Sequence, residues 1–248
     1  MMAREEKAAG GETGLQRVWV WRLIAGRLLV AGLLFAGEFV FIYGGLAHTT
    51  ASRMSVFINL TPALAALGLH FFVRGERLAA LQWLGVGVAF AGVFLAFAEG
   101  FSSGHGTWVG DLCGLVAAVL WASTTVLIRS STLSHATATK TLFYQLAVSA
   151  IVLPLASIAM GEPGVVSLSA LAIASLAYQG VIVAFATYLV WFWLLTRYLA
   201  GRLGVLSFLT PLFGVLCGVL FLGEPLTVYF VLAALLVGAG IVLVNLRR

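Results

Sequence analysis

Long apolar runs, broken by short polar or glycine- and proline-containing segments, dominate the chain. A helix needs about 20 mainly apolar residues to cross the hydrocarbon, because lipid offers no partner to backbone polar groups. Eight stretches meet that condition: residues 28–46, 54–73, 79–98, 112–129, 141–160, 171–195, 203–222 and 226–245. The breaks between them are short, among them His48-Thr49-Thr50, Arg74-Gly75-Glu76-Arg77, the 99–110 segment, Gly161-Glu162-Pro163-Gly164 and Gly223-Glu224-Pro225. The pattern predicts an all-α integral membrane protein, a polytopic bundle of about eight transmembrane helices.

Composition agrees: 62% of the residues are hydrophobic and 9% charged, against about 25% charged in soluble domains. The net charge of +5 does not point to nucleic acid, since the basic residues are single and spaced by apolar runs, with no basic stripe. Their positions report topology instead. With alternate loops on opposite sides, every Lys and Arg except Arg53 falls on the side of the N-terminus. The positive-inside rule then predicts both termini in the cytoplasm. Residues 1–25 open on a polar, Gly/Ala-rich stretch with no apolar core before a cleavage site, and read as a cytoplasmic tail rather than a signal peptide. Cys113 and Cys217 both lie in apolar runs, without the spacing of a disulfide framework or a zinc site.

The chain also repeats itself. The segment from Ala51, ASRMSVFINLTPALAALGLHFFVRGERL, matches that from Ala200, AGRLGVLSFLTPLFGVLCGVLFLGEPL. Arg53 pairs with Arg202, Leu60-Thr61-Pro62 with Leu209-Thr210-Pro211, Gly75-Glu76 with Gly223-Glu224, and Ala91-Gly92 with Ala239-Gly240. The first three runs thus correspond to the last three. Matched helices stand five apart in order, and five is odd, so the copies cross the membrane in opposite senses. Inverted-topology repeats are a signature of secondary transporters, whose halves rock about a midplane site. Two helices precede the second copy and only the tail precedes the first, so symmetry leaves two helices unaccounted for upstream; a truncated gene product and a genuine eight-helix protein both fit.

These blocks, TTASR before an LTP helix, GERL, GDLCGLVAAVLWASTTVLIR and LTPLFGVLCGVLFLGEPLT, resemble the drug/metabolite transporter superfamily, EamA family, over about residues 26–246. The resemblance implies two five-helix inverted repeats, ten helices in all, of which this chain carries three and five. Residues 26–98 would form a partial first repeat, 99–110 an extracytoplasmic linker and 111–248 the second repeat. It further implies an exporter-like permease of the cytoplasmic membrane, moving a metabolite, amino acid or drug by alternating access. The alternative is a transport-inactive fragment, or an assembly subunit needing two further helices.

Several residues are candidates for substrate binding or coupling. Glu38 sits mid-run, where an ionised carboxylate costs about 2.5–3.5 kcal/mol on insertion scales. A neutral acid escapes most of that penalty, so Glu38 suits either a switch between protonated and substrate-paired forms or a structural hydrogen bond, for example to Asn59. Pro62 and Pro211 lie inside their runs and free the carbonyls of Ile58 and Ser207. Asn59 and Thr61 flank the first break; Ser207 and Thr210 flank the second. Trp121 with Thr125, Tyr144 with Gln145, and Gln179, Tyr188 and Trp191 add aromatic and hydrogen-bonding groups suited to a cavity, although such aromatics also serve as interface anchors. Gly214 and Gly218 form G-x-x-x-G, and Ala234 and Gly238 repeat the spacing, read as packing with a homodimer as the weaker option. Glu76 and Glu224 fit caps or loop contacts.

No H-E-x-x-H, paired aspartates or nucleophile-and-base set stands out, and the four histidines are scattered. The reading is of a non-enzyme without cofactor or metal, whose partners are the lipid bilayer, a small-molecule substrate and, for coupling, protons.

Overall fold

A computed structural model of the chain describes residues 26–102, 107–135, 137–164, 167–187, 190 and 209–246. Every regular element among them is helical: α1 Gly26–Leu46, α2 Ala51–Ile58, α3 Thr61–Phe72, α4 Ala80–Ser102, α5 Thr107–Ser130, a 3₁₀ turn at Thr132–His135, α6 Ala138–Ala159, α7 Ala170–Ala177 continuing as a π-helix over Tyr178–Thr187, α8 Leu209–Leu222 and α9 Val228–Asn245. Six of the described helices are long and apolar enough to cross a membrane, with Ala51–Phe72 counted as one span. Two shorter apolar helices, Ala170–Val183 and Leu209–Leu222, fall in the expected runs 171–195 and 203–222, the rest of which lies largely outside the described residues.

Local chemistry sets the helix ends. The span expected at 54–73 is two helices meeting at Asn59-Leu60, and Pro62 stands in the first turn of α3, a position that suits proline's fixed φ. The two matched Gly-Glu pairs have a backbone reason: Gly75 and Gly223 adopt φ of 98° and 65°, left-handed values that glycine takes without penalty at a helix end. After α8 the turn closes with Glu224 N–H donating to the Gly218 carbonyl at 3.2 Å. One boundary departs from expectation. The polar 99–110 segment reads as a break, yet α4 continues to Ser102 and α5 begins at Thr107. Glu99 and Asp111 are paired inside the bundle, so their charges do not end the helices.

Small residues line the helix contacts, around a core that also buries Phe57, Leu60, Val237 and Ile241, as expected where close packing must hold helices together. Ala89, Ala96, Ala117, Ala118 and Ala233 are buried, whereas Phe71, Phe94, Leu171 and Phe221 point outward. The closest crossing joins α4 and α9, which run antiparallel. A methyl group at Gly92 would meet the Ala233 carbonyl oxygen at 2.7 Å and the Val237 nitrogen at 2.9 Å; one at Gly240 would meet the Gly85 carbonyl oxygen at 2.7 Å and the Ala89 nitrogen at 2.6 Å. Gly92 and Gly240 are matched in the two copies, and the same offset matches Gly85 with Ala233 and Ala89 with Val237. The contacts are therefore reciprocal, as across a two-fold axis. Gly214 and Gly218 on α8 receive the Ser55 and Ser52 side chains of α2, an intramolecular use of the G-x-x-x-G spacing. Gly238 has no neighbour within 4 Å of its missing side chain, so Gly240 and not Gly238 makes the close approach on α9.

Candidate functional site

Two features stand out once the helices are in place: a solitary carboxylate at mid-bundle, and an ion network at one end.

Glu38 is 3% exposed, and its Oε2 makes no hydrogen bond. Helix α5 serves as a ruler for its depth. On one side of α5, Gly45 of α1 approaches Cys113 and Gly37 approaches Leu120. On the other, Phe57 lies against Gly114, and the Thr61 hydroxyl is 3.5 Å from the Ala118 carbonyl. At about 1.5 Å of rise per residue, Glu38 stands level with Thr61, within about a turn of the α2–α3 break. The polar groups of the break are engaged locally. Thr61 Oγ1 donates to the Ile58 carbonyl at 2.6 Å, supplying the donor that Pro62 lacks. Asn59 Nδ2 donates to the Ser55 carbonyl at 2.8 Å, and no bond joins it to Glu38.

The other sequence candidates are dispersed. Gln145 is buried on α6, in a polar row with Thr141 and Ser149 at successive turns that sequence reasoning passed over. The Ser149 hydroxyl is buried without a partner. Trp121 and Tyr144 are exposed, and Gln179 accepts from the Tyr43 hydroxyl at 3.3 Å. Pro211 is fully buried on α8. Tyr188, Trp191 and Ser207 lie outside the described residues. Thr125 lines a cavity of about 670 Å³ together with Pro62, Glu76, Arg77, Gln82 and Arg129. This cavity opens at the end of the bundle bearing the α3–α4 turn and the end of α5. Polar contacts there are sparse: Arg129 reaches Glu76 at 2.5 Å with both side chains partly exposed, and Gln82 Nε2 donates to the Val244 carbonyl at 2.9 Å. An exposed pair of this kind is worth at most about 1 kcal/mol.

The opposite end carries an ion network. Arg53, in the first turn of α2, donates through Nε to Asp111 Oδ1 at 3.0 Å and through Nη2 to Oδ2 at 2.6 Å. Its Nη1 reaches Glu99 at 3.2 Å, Nη2 also reaches the Ala96 carbonyl at 2.5 Å, and the guanidinium carbon lies 5.4 Å from the Phe230 ring centroid. Asp111 is fully buried and accepts from the Thr49 hydroxyl at 2.9 Å; Glu99 accepts from the Thr227 hydroxyl. Beside this network Glu224 caps α2, its two oxygens accepting from Ala51 N–H at 2.8 Å and Ser52 N–H at 2.9 Å, where the helix N-terminus favours negative charge. Sequence reasoning noticed Arg53 as the exception to the charge rule and as the repeat partner of Arg202, and gave it no partner in the bundle. The signal was present, since a lone cation opposite the others, with Glu99 and Asp111 near the same helix ends, needs buried partners.

A bundle of apolar helices, six of them long enough to span a membrane among the described residues, defines a polytopic helical membrane protein. The EamA-like transporter family matches residues 8–98 and 108–246. The chain belongs to that family, one of transporters rather than enzymes. Among curated relatives it is 29% identical over 203 residues to "Uncharacterized transporter YvbV" of Bacillus subtilis (strain 168), covering 82% of this chain and 66% of that protein. It is 26% identical over 225 residues to "Probable amino-acid metabolite efflux pump" of Escherichia coli (strain K12), covering 86% of this chain and 74% of that protein. Against "Uncharacterized transporter YoaV" of Bacillus subtilis (strain 168) the identity is 24%, over 86% of this chain and 72% of that protein. The chain thus spans about two thirds to three quarters of the length of these relatives. No solved structure matches it significantly.

Proposed function

We propose that this protein exports a small amine-bearing metabolite of the amino-acid type across the cytoplasmic membrane, by alternating access between two inverted repeats, with Glu38 as the coupling or substrate-pairing group. The observation that carries the reading is the solitary Glu38 carboxylate, buried level with the break in the second span. An ionisable group buried without a partner in a membrane span points by default to a proton or substrate role. Family membership supports transport, and the printed name of the Escherichia coli relative supports the substrate class.

The unequal ends fit one stage of such a cycle. A cavity of about 670 Å³ opens among Arg77, Arg129 and Glu76, on the side that the positive-inside rule assigns to the cytoplasm, while the Arg53 network shuts the other side. The reciprocal α4–α9 contacts supply the pivot that two inverted halves need. Residues 26–98 and 111–248 are the halves in this reading.

Efflux of labelled amino acids and amines from reconstituted vesicles tests it. Flux by this chain, reduced at least about tenfold in Glu38→Gln while the folded variant still inserts, is the expected outcome. Undiminished flux in Glu38→Gln removes the coupling role. Flux seen only when two further helices are added upstream assigns the activity to that larger assembly.

A further inference from the structure

The closed end holds more than a salt bridge. Two carboxylates, Asp111 and Glu99, and the Ala96 carbonyl direct oxygen toward one guanidinium, the Thr49 and Thr227 hydroxyls donate to those carboxylates and hold them in place, and the Phe230 ring covers the cation. Acceptor oxygens together with an aromatic face form the chemistry of a cation site. Charge is not balanced within it, because two carboxylates face a single Arg53. Beside it lies a cavity of about 190 Å³ lined by Thr50, Ser52, Arg53, Glu99, Thr227 and Phe230, large enough for a small organic cation. Arg53 enters from α2, while Asp111 and Phe230 enter from α5 and α9. Separation of α2 from α5 and α9 would therefore withdraw the guanidinium from Asp111 and the ring, while Glu99 stands at the end of α4, the helix packed against α9.

We infer that Asp111, Glu99 and Phe230 form a cage for organic ammonium and guanidinium groups, which Arg53 fills in the closed state and cationic cargo occupies when that end opens. Arg53 is then a tethered competitor. Its return expels the cargo and closes the end in one motion, since the same contacts do both. Glu99, the more exposed carboxylate at 18% of its side chain, is the arm that cargo meets first, and Asp111, with none of its side chain exposed, is the inner anchor. The exit role rests on the transporter reading; the existence of the cage does not.

Chemical rescue separates the two. Arg53→Ala empties the cage, and thermal unfolding of the purified variant in detergent is followed with methylguanidinium chloride, ethylammonium chloride or sodium chloride at equal ionic strength. Stabilisation by methylguanidinium and ethylammonium beyond sodium is expected in Arg53→Ala, and is expected to vanish in wild type and in Arg53→Ala/Asp111→Asn. An equal response in all three proteins, or none in Arg53→Ala, overturns the cage. Should Arg53→Ala fail to fold, Glu99→Gln keeps Asp111 on Arg53 and is read by thiol labelling. Cys113, two residues beyond Asp111 and partly buried, reports opening to a membrane-impermeant maleimide in a Cys217→Ala background. Ethylammonium, which binds only where Arg53 has left, is expected to speed labelling of the Glu99 parent several-fold over sodium and to do so less in Glu99→Gln; no effect of ethylammonium on the parent, or an equal effect in both proteins, overturns the proposal. Loss of flux in every protein with rescue intact would fail the transporter reading and leave the cage standing.

Discussion

Thr61 illustrates how one hydroxyl decides whether a break is a site or a joint. Pro62 frees the Ile58 carbonyl, and in an apolar bundle that oxygen must find a donor. Thr61 provides it at 2.6 Å. Thr61→Val keeps the shape and removes the donor, and we expect a loss of about 1–2 kcal/mol in the thermal or denaturant stability of the detergent-solubilised protein. A neutral effect would mean that the carbonyl is satisfied another way. The need for a donor at Ile58 was legible in the sequence; its source was not. Any of Asn59, Thr61 or a neighbouring helix fitted the spacing, and only the rotation of each side chain selects among them. Glu38 shows the same division. Its cost in lipid follows from its position in an apolar run, whereas its lack of a partner depends on where three other helices place their polar groups.

Among the helices, the α4–α9 crossing rests on glycines that admit the facing backbone. Gly92→Leu and Gly240→Leu should each destabilise the protein by about 1–3 kcal/mol or more, as overpacking does. Their effects should resemble one another, because their contacts are reciprocal. Gly238→Ala, two residues from Gly240, should change stability by less than about 0.5 kcal/mol. Unfolding midpoints of the three variants in one detergent check the contrast; a Gly238→Ala loss as large as that of Gly240→Leu would remove the geometric explanation. Small-residue spacing drew attention to Ala234 and Gly238, yet the backbone approach falls at Gly240. Spacing identifies a helix face that permits contact. Where along that face the partner crosses depends on the angle and depth of packing, which no local pattern records.

For the whole molecule, orientation is the testable claim. Every Lys and Arg but Arg53 lies on one side of the expected topology, and Arg53 is held by Asp111 and Glu99 inside the bundle. A cation neutralised in this way contributes little to a rule that acts through free charge near the membrane surface. A reporter active only in the cytoplasm should therefore function when fused after Arg77 and be silent when fused after Phe101. A reporter active only outside should give the reverse. Cytoplasmic activity at Phe101 would invert the assignment of the two ends, and with it the side on which the closed network sits.

The sequence by itself determined the class of protein, the positions of most spans, the expected sidedness and the repeated blocks. Each of these follows from a constraint that a segment meets alone: a crossing helix must be apolar and long enough, and a left-handed turn such as Gly75 or Gly223 selects glycine. Tertiary structure decided which buried charges have partners, which of the small residues touch, and at which end of the bundle the ion network forms. Arg53, Glu99 and Asp111 lie on three helices, and α4 and α5 extend into the expected break where these groups pair. Such pairings depend on the rotation, tilt and depth of one helix against another, quantities set by the packing of the bundle together and not by any one run of residues.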